Sequence, residues 1–291
     1  MIDRQRLVRP YMWALIVAGA CVFLYSALNL PFGRLDLRLV PLVAVTLLVS
    51  SRFCIPIPRT TGQISFSDTF IFLTMLLYGG EVAVLLVATE NFVGSRFGKR
   101  SFSVFTSAFN AGMLACATFI TVHVMHRLFG VPVTELAQGD FSAKFVIALC
   151  VMGFVQYVAN SGVAALHTSL KSGEPVWVTW RNKYLWTSIT YFGGASAAGL
   201  TVKLASTAGF YALVAAAPII VIIYLTYRTY LDNIEAMSAA AKAEAAAEGR
   251  AESAAAQAEQ ARRHVEELSH YISEQERIRE QYAQIDRTSV V

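Results

Sequence analysis

An all-α, polytopic membrane helix bundle of about eight transmembrane helices is the fold class the sequence predicts, its last helix continuing into a long C-terminal cytoplasmic helix that forms a coiled coil. Three observations predict it. Hydrophobic residues make up 55% of the chain and charged residues only 15%, where soluble domains carry about 25% charge, and the mean hydropathy is +0.49. The charge is unevenly placed, since Tyr11 to Tyr227 is mostly apolar while the stretch from Asp232 onward is dense in Glu, Arg, Lys and Ala. Apolar runs also recur near the length of about 20 residues that a helix needs to cross a hydrocarbon core. The expected division is a transmembrane bundle over residues 1–231 and a cytoplasmic helical stalk over residues 232–291.

Eight apolar segments, punctuated by Pro, Gly and charge, are expected to cross: Tyr11–Leu30, Leu37–Ser51, Ser67–Tyr78, Glu81–Phe97, Val104–Leu128, Ala143–Leu170, Tyr184–Ser206 and Ala208–Tyr230. The basic stretch Met1 to Pro10 precedes a long apolar run without a small-residue cleavage site, which reads as a retained first helix rather than a signal peptide. The second and third segments are short. The third either stops within the membrane or is lengthened by the extended stretch Phe53 to Phe66. Basic residues near the segment ends set the orientation: with the N-terminus inside, about twelve Lys and Arg fall on the cytoplasmic side and about five on the other. Both termini are then cytoplasmic.

Trp177, Trp180, Tyr184 and Trp186 cluster with Arg181 and Lys183 before the seventh segment, as an interfacial anchor does. After Pro218 the eighth segment passes Tyr227-Arg228 and reaches Asp232 with nothing to stop the helix at the membrane surface. Ala239 to Ala261 is Ala-rich with interspersed Lys, Glu and Arg, all strong helix formers. Val265, Leu268 and Ile272 have the spacing of a coiled-coil seam, and Ile278, Tyr282 and Ile285 resume it after a break of phase. A parallel dimeric stalk is expected, or pairing of the stalk with a separate cytoplasmic or membrane partner. Membrane lipid is the other partner. The net charge of +4 is too dispersed for a nucleic-acid footprint.

Ionisable and polar residues at membrane depth are costly, and so are candidates for function. Glu90 lies in the middle of the fourth segment beside Asn91, and with Asn110, Gln156 and Asn160 it could line a ligand-binding pocket. A contact from Glu90 to Asn110, Gln156 or Asn160 would equally serve as glue between helices. Gln156 and Asn160 share one helix face. Asp68 begins an apolar helix, and its expected role is that of a first-turn acid answering free amides and the helix dipole. His123 and His126 lack a third nearby ligand, and the four cysteines Cys21, Cys54, Cys116 and Cys150 have no metal-binding spacing and are expected as free buried thiols. No metal or cofactor is expected. Gly79-Gly80 marks a turn, and Gly193, Gly194 and Gly199 with intervening alanines form a small-residue face for close helix packing. A phosphate loop, a nucleophile elbow, a zincin motif and a kinase signature are all missing from the sequence, so no enzyme is expected.

The run Arg263-His264-Val265-Glu266-Glu267-Leu268-Ser269-His270-Tyr271-Ile272-Ser273-Glu274-Gln275-Glu276-Arg277-Ile278 resembles the signalling linker that joins a membrane sensor to PAS, GGDEF, EAL or HD-GYP domains in bacterial cyclic-di-GMP signalling proteins. Gly62-Gln63-Ile64-Ser65-Phe66-Ser67-Asp68-Thr69-Phe70-Ile71-Phe72-Leu73, followed by Tyr78-Gly79-Gly80-Glu81, is similar to the multi-helix sensor region of the same proteins and, more loosely, to the substrate-binding components of energy-coupling-factor transporters. The sequence to Val291 contains no GGDEF or HD-type motif, so either the protein acts on a separate partner, or the chain is a shortened form, or the family role does not transfer. Three function classes follow. The first is a membrane sensor or scaffold that couples the bundle to a cytoplasmic stalk; the others are a small-molecule uptake component and a structural subunit of a larger membrane complex.

Overall fold

The computed structural model describes residues 4–52, 54–56, 63–65, 67–97, 101–208 and 210–288, with side-chain packing described chiefly for residues 6–48, 67–97 and 101–207. Among these, the chain is helical apart from two three-residue strands. The main helices are α1 (Val8–Leu28), α2 (Leu39–Arg52), α3 (Ser67–Tyr78), α4 (Gly80–Phe97), α5 (Val104–Phe129), α6 (Val133–Gln138), α7 (Ala143–Ser172), α8 (Val176–Thr179), α9 (Ser188–Ala208) and α10 (Phe210–Thr288). Each of the eight expected segments overlaps a helix, the eighth only the start of α10, and α6 and α8 are short additions. The chain divides into two compact units, Met1–Pro218 and Ile219–Val291, so the division falls earlier along α10 than the change of composition at Asp232.

Among the described residues three helices, α1, α5 and α7, are long and apolar enough to cross a membrane, which marks the chain as a membrane protein. At about 1.5 Å per residue they measure roughly 31, 39 and 45 Å, against a hydrocarbon core of about 30 Å. Large apolar side chains face outward on the bundle, among them Trp13, Leu24, Ile147, Phe154, Ile189 and Leu200. An exterior of that kind suits lipid rather than water. Cys21 and Cys150 are free as expected but lie on this exterior rather than in the core, and Cys116 is half-buried. The side chain of Cys54 lies outside the described ones.

Helix α3 sits at the centre. Ser67, Ile71 to Leu76 and Tyr78 are buried, so the helix is covered nearly all round. It packs on α9, α4, α6 and α2, while α4 packs on α5, α1 and α2. Twelve residues of helix span only about 18 Å. Before it, β1 (Cys54–Pro56) and β2 (Gln63–Ser65) pair antiparallel, Cys54 with Ser65, so this part of the chain is a hairpin and not a continuation of α3.

Gly79 alone joins α3 to α4. Its φ of +103° is a backbone conformation that side-chain-bearing residues rarely adopt, and it lets α4 double back on α3 as a helical hairpin. Helices α1 and α5 cross through glycines: a Cβ at Gly19 would lie 2.2 Å from the Gly112 Cα. Ring contacts Trp13–Phe105, Tyr11–Phe109 and Tyr25–Phe119 flank that crossing. Tyr11 also ties α1 to α7, its hydroxyl donating to the Val163 carbonyl at 2.9 Å. Ser103 and Ser142 cap the starts of α5 and α7, each side chain accepting a backbone N–H three residues on. Lys203, 8% exposed on α9, holds α6 in place by donating to the Ala137 and Gly139 carbonyls, with its ammonium 4.4 Å from the Phe145 ring centre.

Candidate functional site

The hairpin about Gly79 explains how two carboxylates meet in the bundle. Asp68 precedes Gly79 by eleven residues and Glu90 follows it by eleven, so on antiparallel helices each lies about 16 Å from the turn. The two carboxylates are within electrostatic range of each other. Glu90 is buried and accepts a hydrogen bond from Asn91 Nδ2 at 2.6 Å; the same amide reaches the Val87 carbonyl at 3.4 Å. Asp68 occupies the first turn of α3, where the free amides and the positive helix end favour an acid.

Helix α9 closes on the start of α3. A Cβ at Gly194 would lie 3.3 Å from the Thr69 backbone nitrogen, and Tyr191, one turn earlier on α9, is thereby placed within electrostatic range of Asp68. The Tyr191 hydroxyl accepts a hydrogen bond from Asn160 Nδ2 on α7. Tyr157, Asn160 and Ser161 share one face of α7 by their spacing of three and four. The Tyr157 ring centre is 6.0 Å from that of Tyr191 and 5.7 Å from that of Trp180. Trp180 Nε1 donates to Ser161 Oγ at 2.8 Å, and Ser161 Oγ donates to the Tyr157 carbonyl at 2.6 Å. A connected polar and aromatic cluster therefore spans α3, α4, α7, α9 and the π-helical turn Trp180–Tyr184.

Two buried polar atoms in this cluster have no hydrogen-bond partner: the Tyr157 hydroxyl and Asn160 Oδ1. Tyr157 is only 4% exposed. Unpaired polar atoms at such depth are uncommon and costly.

Of the five expected pocket residues, Glu90, Asn91 and Asn160 belong to this cluster. Gln156 and Asn110 are placed elsewhere. Gln156 turns to α5, accepting from Thr121 Oγ1 at 2.7 Å and donating to Thr118 Oγ1 at 3.0 Å. Asn110 donates to Ser95 Oγ at 3.2 Å and so ties α5 to the end of α4. Helix α7 lies between α5 and α9, so residues one turn apart serve different neighbours.

Reading the residues singly misses Asp68, Tyr191 and Trp180. Equal spacing about Gly79 is the signal that pairs Asp68 with Glu90. Among the aromatic residues expected at the interface, Trp177 and Trp186 are 66% and 69% exposed, whereas Trp180 turns inward onto Tyr157. Val265, Leu268 and Ile272 are exposed on α10; the side chains of Ile278, Tyr282 and Ile285 lie outside the described ones. Among the described residues no group of three His, Cys, Asp or Glu could hold a metal ion. His123 instead packs on the Phe119 ring and bonds that residue's carbonyl. No protein-family model, curated protein or solved structure significantly matches the chain.

Proposed function

We propose that the chain is a membrane sensor or signal-transducing scaffold of the bacterial inner membrane, in which a change in helix packing is carried by α10 to a cytoplasmic stalk. The observation that carries this reading is the length of α10, one helix of 79 residues. A helix that begins apolar and ends charged can transmit a shift or rotation between two solvents. Polar residues gathered among α3, α4, α7 and α9 supply a place where a ligand could bias that packing.

On this reading α1, α2, α3, α4, α5, α7, α9 and the start of α10 make eight crossings, with both termini cytoplasmic by the bias of Lys and Arg. Val265, Leu268 and Ile272 form part of the seam of a parallel homodimer. The likeness of residues 263–278 to cyclic-di-GMP signalling linkers supports the same direction of signal. Its test is insertion of Gly-Pro after Ala240, which breaks the helix but keeps both parts. The expected outcome is loss of the cellular phenotype that the intact gene restores to a deletion strain. Full restoration by the broken helix would refute the proposal.

A second reading draws on the polar cluster: a small-molecule uptake component. Loss of uptake of a labelled solute on Glu90→Ala, with α10 dispensable, would favour it.

A further inference from the structure

The unpaired atoms of the α3–α7–α9 cluster define what is missing from it. Asn160 has spent one amide hydrogen on Tyr191, and its unpartnered Oδ1 can only accept. The Tyr157 hydroxyl, also unpartnered, offers oxygen lone pairs as well as its one hydrogen. Asp68 accepts through both oxygens once it is a carboxylate, the form that a bound cation favours. Of the nearby donors, Trp180 Nε1 is already committed to Ser161 Oγ, and the Tyr191 hydroxyl, which accepts from Asn160, has a single hydrogen to give. A ligand that completed this set would bring several hydrogen-bond donors and positive charge.

The walls narrow the choice. The rings of Tyr157, Tyr191 and Trp180 lie within 6.0 Å of one another in sequence of contact and are tilted rather than parallel. Aromatic faces attract cations at about that distance, and tolerate hydrocarbon. Divalent metals prefer six or more oxygen ligands, including several carboxylates, and the described residues hold no such group. An anion would meet the Asp68 carboxylate and the acceptor-only Asn160 Oδ1. Asn91 already engages Glu90, so Glu90 sets the local field rather than forming the seat.

We propose that this cluster binds a small organic ammonium ion, whose N–H groups donate to Asp68, Asn160 Oδ1 and Tyr157 Oη while its hydrocarbon part lies against the rings of Tyr157, Tyr191 and Trp180. The inference rests on the sensor reading for its biological sense, since it names the class of ligand to which the bundle responds. Binding itself is measured without reference to the stalk.

The test uses the full chain in phosphatidylcholine nanodiscs, titrated with methylammonium and ethylammonium chloride against sodium chloride at equal ionic strength. Tryptophan fluorescence reports on Trp180, and thermal unfolding provides a second readout. A saturable response to the alkylammonium salts but not to sodium is expected. Asp68→Asn is expected to raise the half-saturation concentration about ten-fold or more, as loss of a charge-assisted hydrogen bond does. Because Asp68→Asn alters the start of α3, Tyr157→Phe is the companion variant: it removes only an unpartnered hydroxyl, and a rise of about three-fold or more is expected.

No saturable response, an equal response to sodium, or unchanged half-saturation in folded Asp68→Asn and Tyr157→Phe would overturn the proposal. Binding with a phenotype indifferent to the Gly-Pro insertion would leave the site standing and remove the sensor reading. The converse pair of results would remove the ligand and keep the sensor.

Discussion

Gly19→Ala puts a methyl group where the structure has no room for one. The new Cβ would sit 2.2 Å from Gly112 Cα and 2.9 Å from the Gly112 carbonyl carbon and oxygen, whereas ordinary contact begins at 3.4 Å. Both partners are backbone, so no side chain can swing aside. The helices α1 and α5 must part by 3.4 minus 2.2, about 1.2 Å, at their crossing. A gap near 1 Å forfeits roughly a quarter to a half of the attraction in each contact it opens, and here it would loosen Trp13 on Phe105 and Tyr25 on Phe119. Overpacking of this kind costs about 1–3 kcal/mol. Alanine also gains about 1 kcal/mol in helix propensity over glycine, which masks part of the loss. Gly162→Ala separates the two effects, because a Cβ at that helical position meets nothing within 4 Å and keeps only the gain. The measurement is equilibrium unfolding of both variants in mixed micelles. Gly19→Ala should be less stable than Gly162→Ala by about 1–3 kcal/mol, and equal stabilities would refute the close crossing.

Gln156→Leu removes two interhelical hydrogen bonds to Thr118 and Thr121 but leaves Thr121 bonded to the Ala117 carbonyl. The expected loss is about 0.6–1.7 kcal/mol in the same unfolding assay, with no change in the half-saturation for ethylammonium. Lys203→Met deletes the donor to the Ala137 and Gly139 carbonyls. A loss of about 1.5–3 kcal/mol is expected, with amide exchange accelerated at residues 133–139 and little altered in α5.

The helices were legible because each apolar run is bounded by charge, Gly or Pro, and segments such as Val104–Leu128 and Ala143–Leu170 fall within two residues of α5 and α7. Residues 53–66 were harder, since an extended stretch before a short helix reads equally as a lengthened crossing or as a hairpin, and pairing of Cys54 with Ser65 is not encoded by hydrophobicity. The polar cluster was half visible. A carboxylate in mid-segment announces itself, as Glu90 does. Asp68 has an ordinary local explanation at a helix start, and only the hairpin geometry brings it to Glu90. Gln156 shows the converse limit: its spacing from Asn160 fixes a shared face but not which neighbour that face meets. Trp180 likewise carries the composition of an interface, and the π-helical turn that rotates it inward has no sequence signature.

The most direct test of coupling between bundle and stalk is a spin-label distance measurement across the proposed dimer. The label replaces Leu268, 60% exposed on α10, in a cysteine-free background reconstituted in nanodiscs, with and without ethylammonium and with Asp68→Asn in the bundle. A single-helix stalk that transmits the state of the bundle predicts a short inter-label distance whose distribution shifts with ethylammonium and fails to shift in Asp68→Asn. A distribution indifferent to both, or the absence of any pairing between copies, would contradict it.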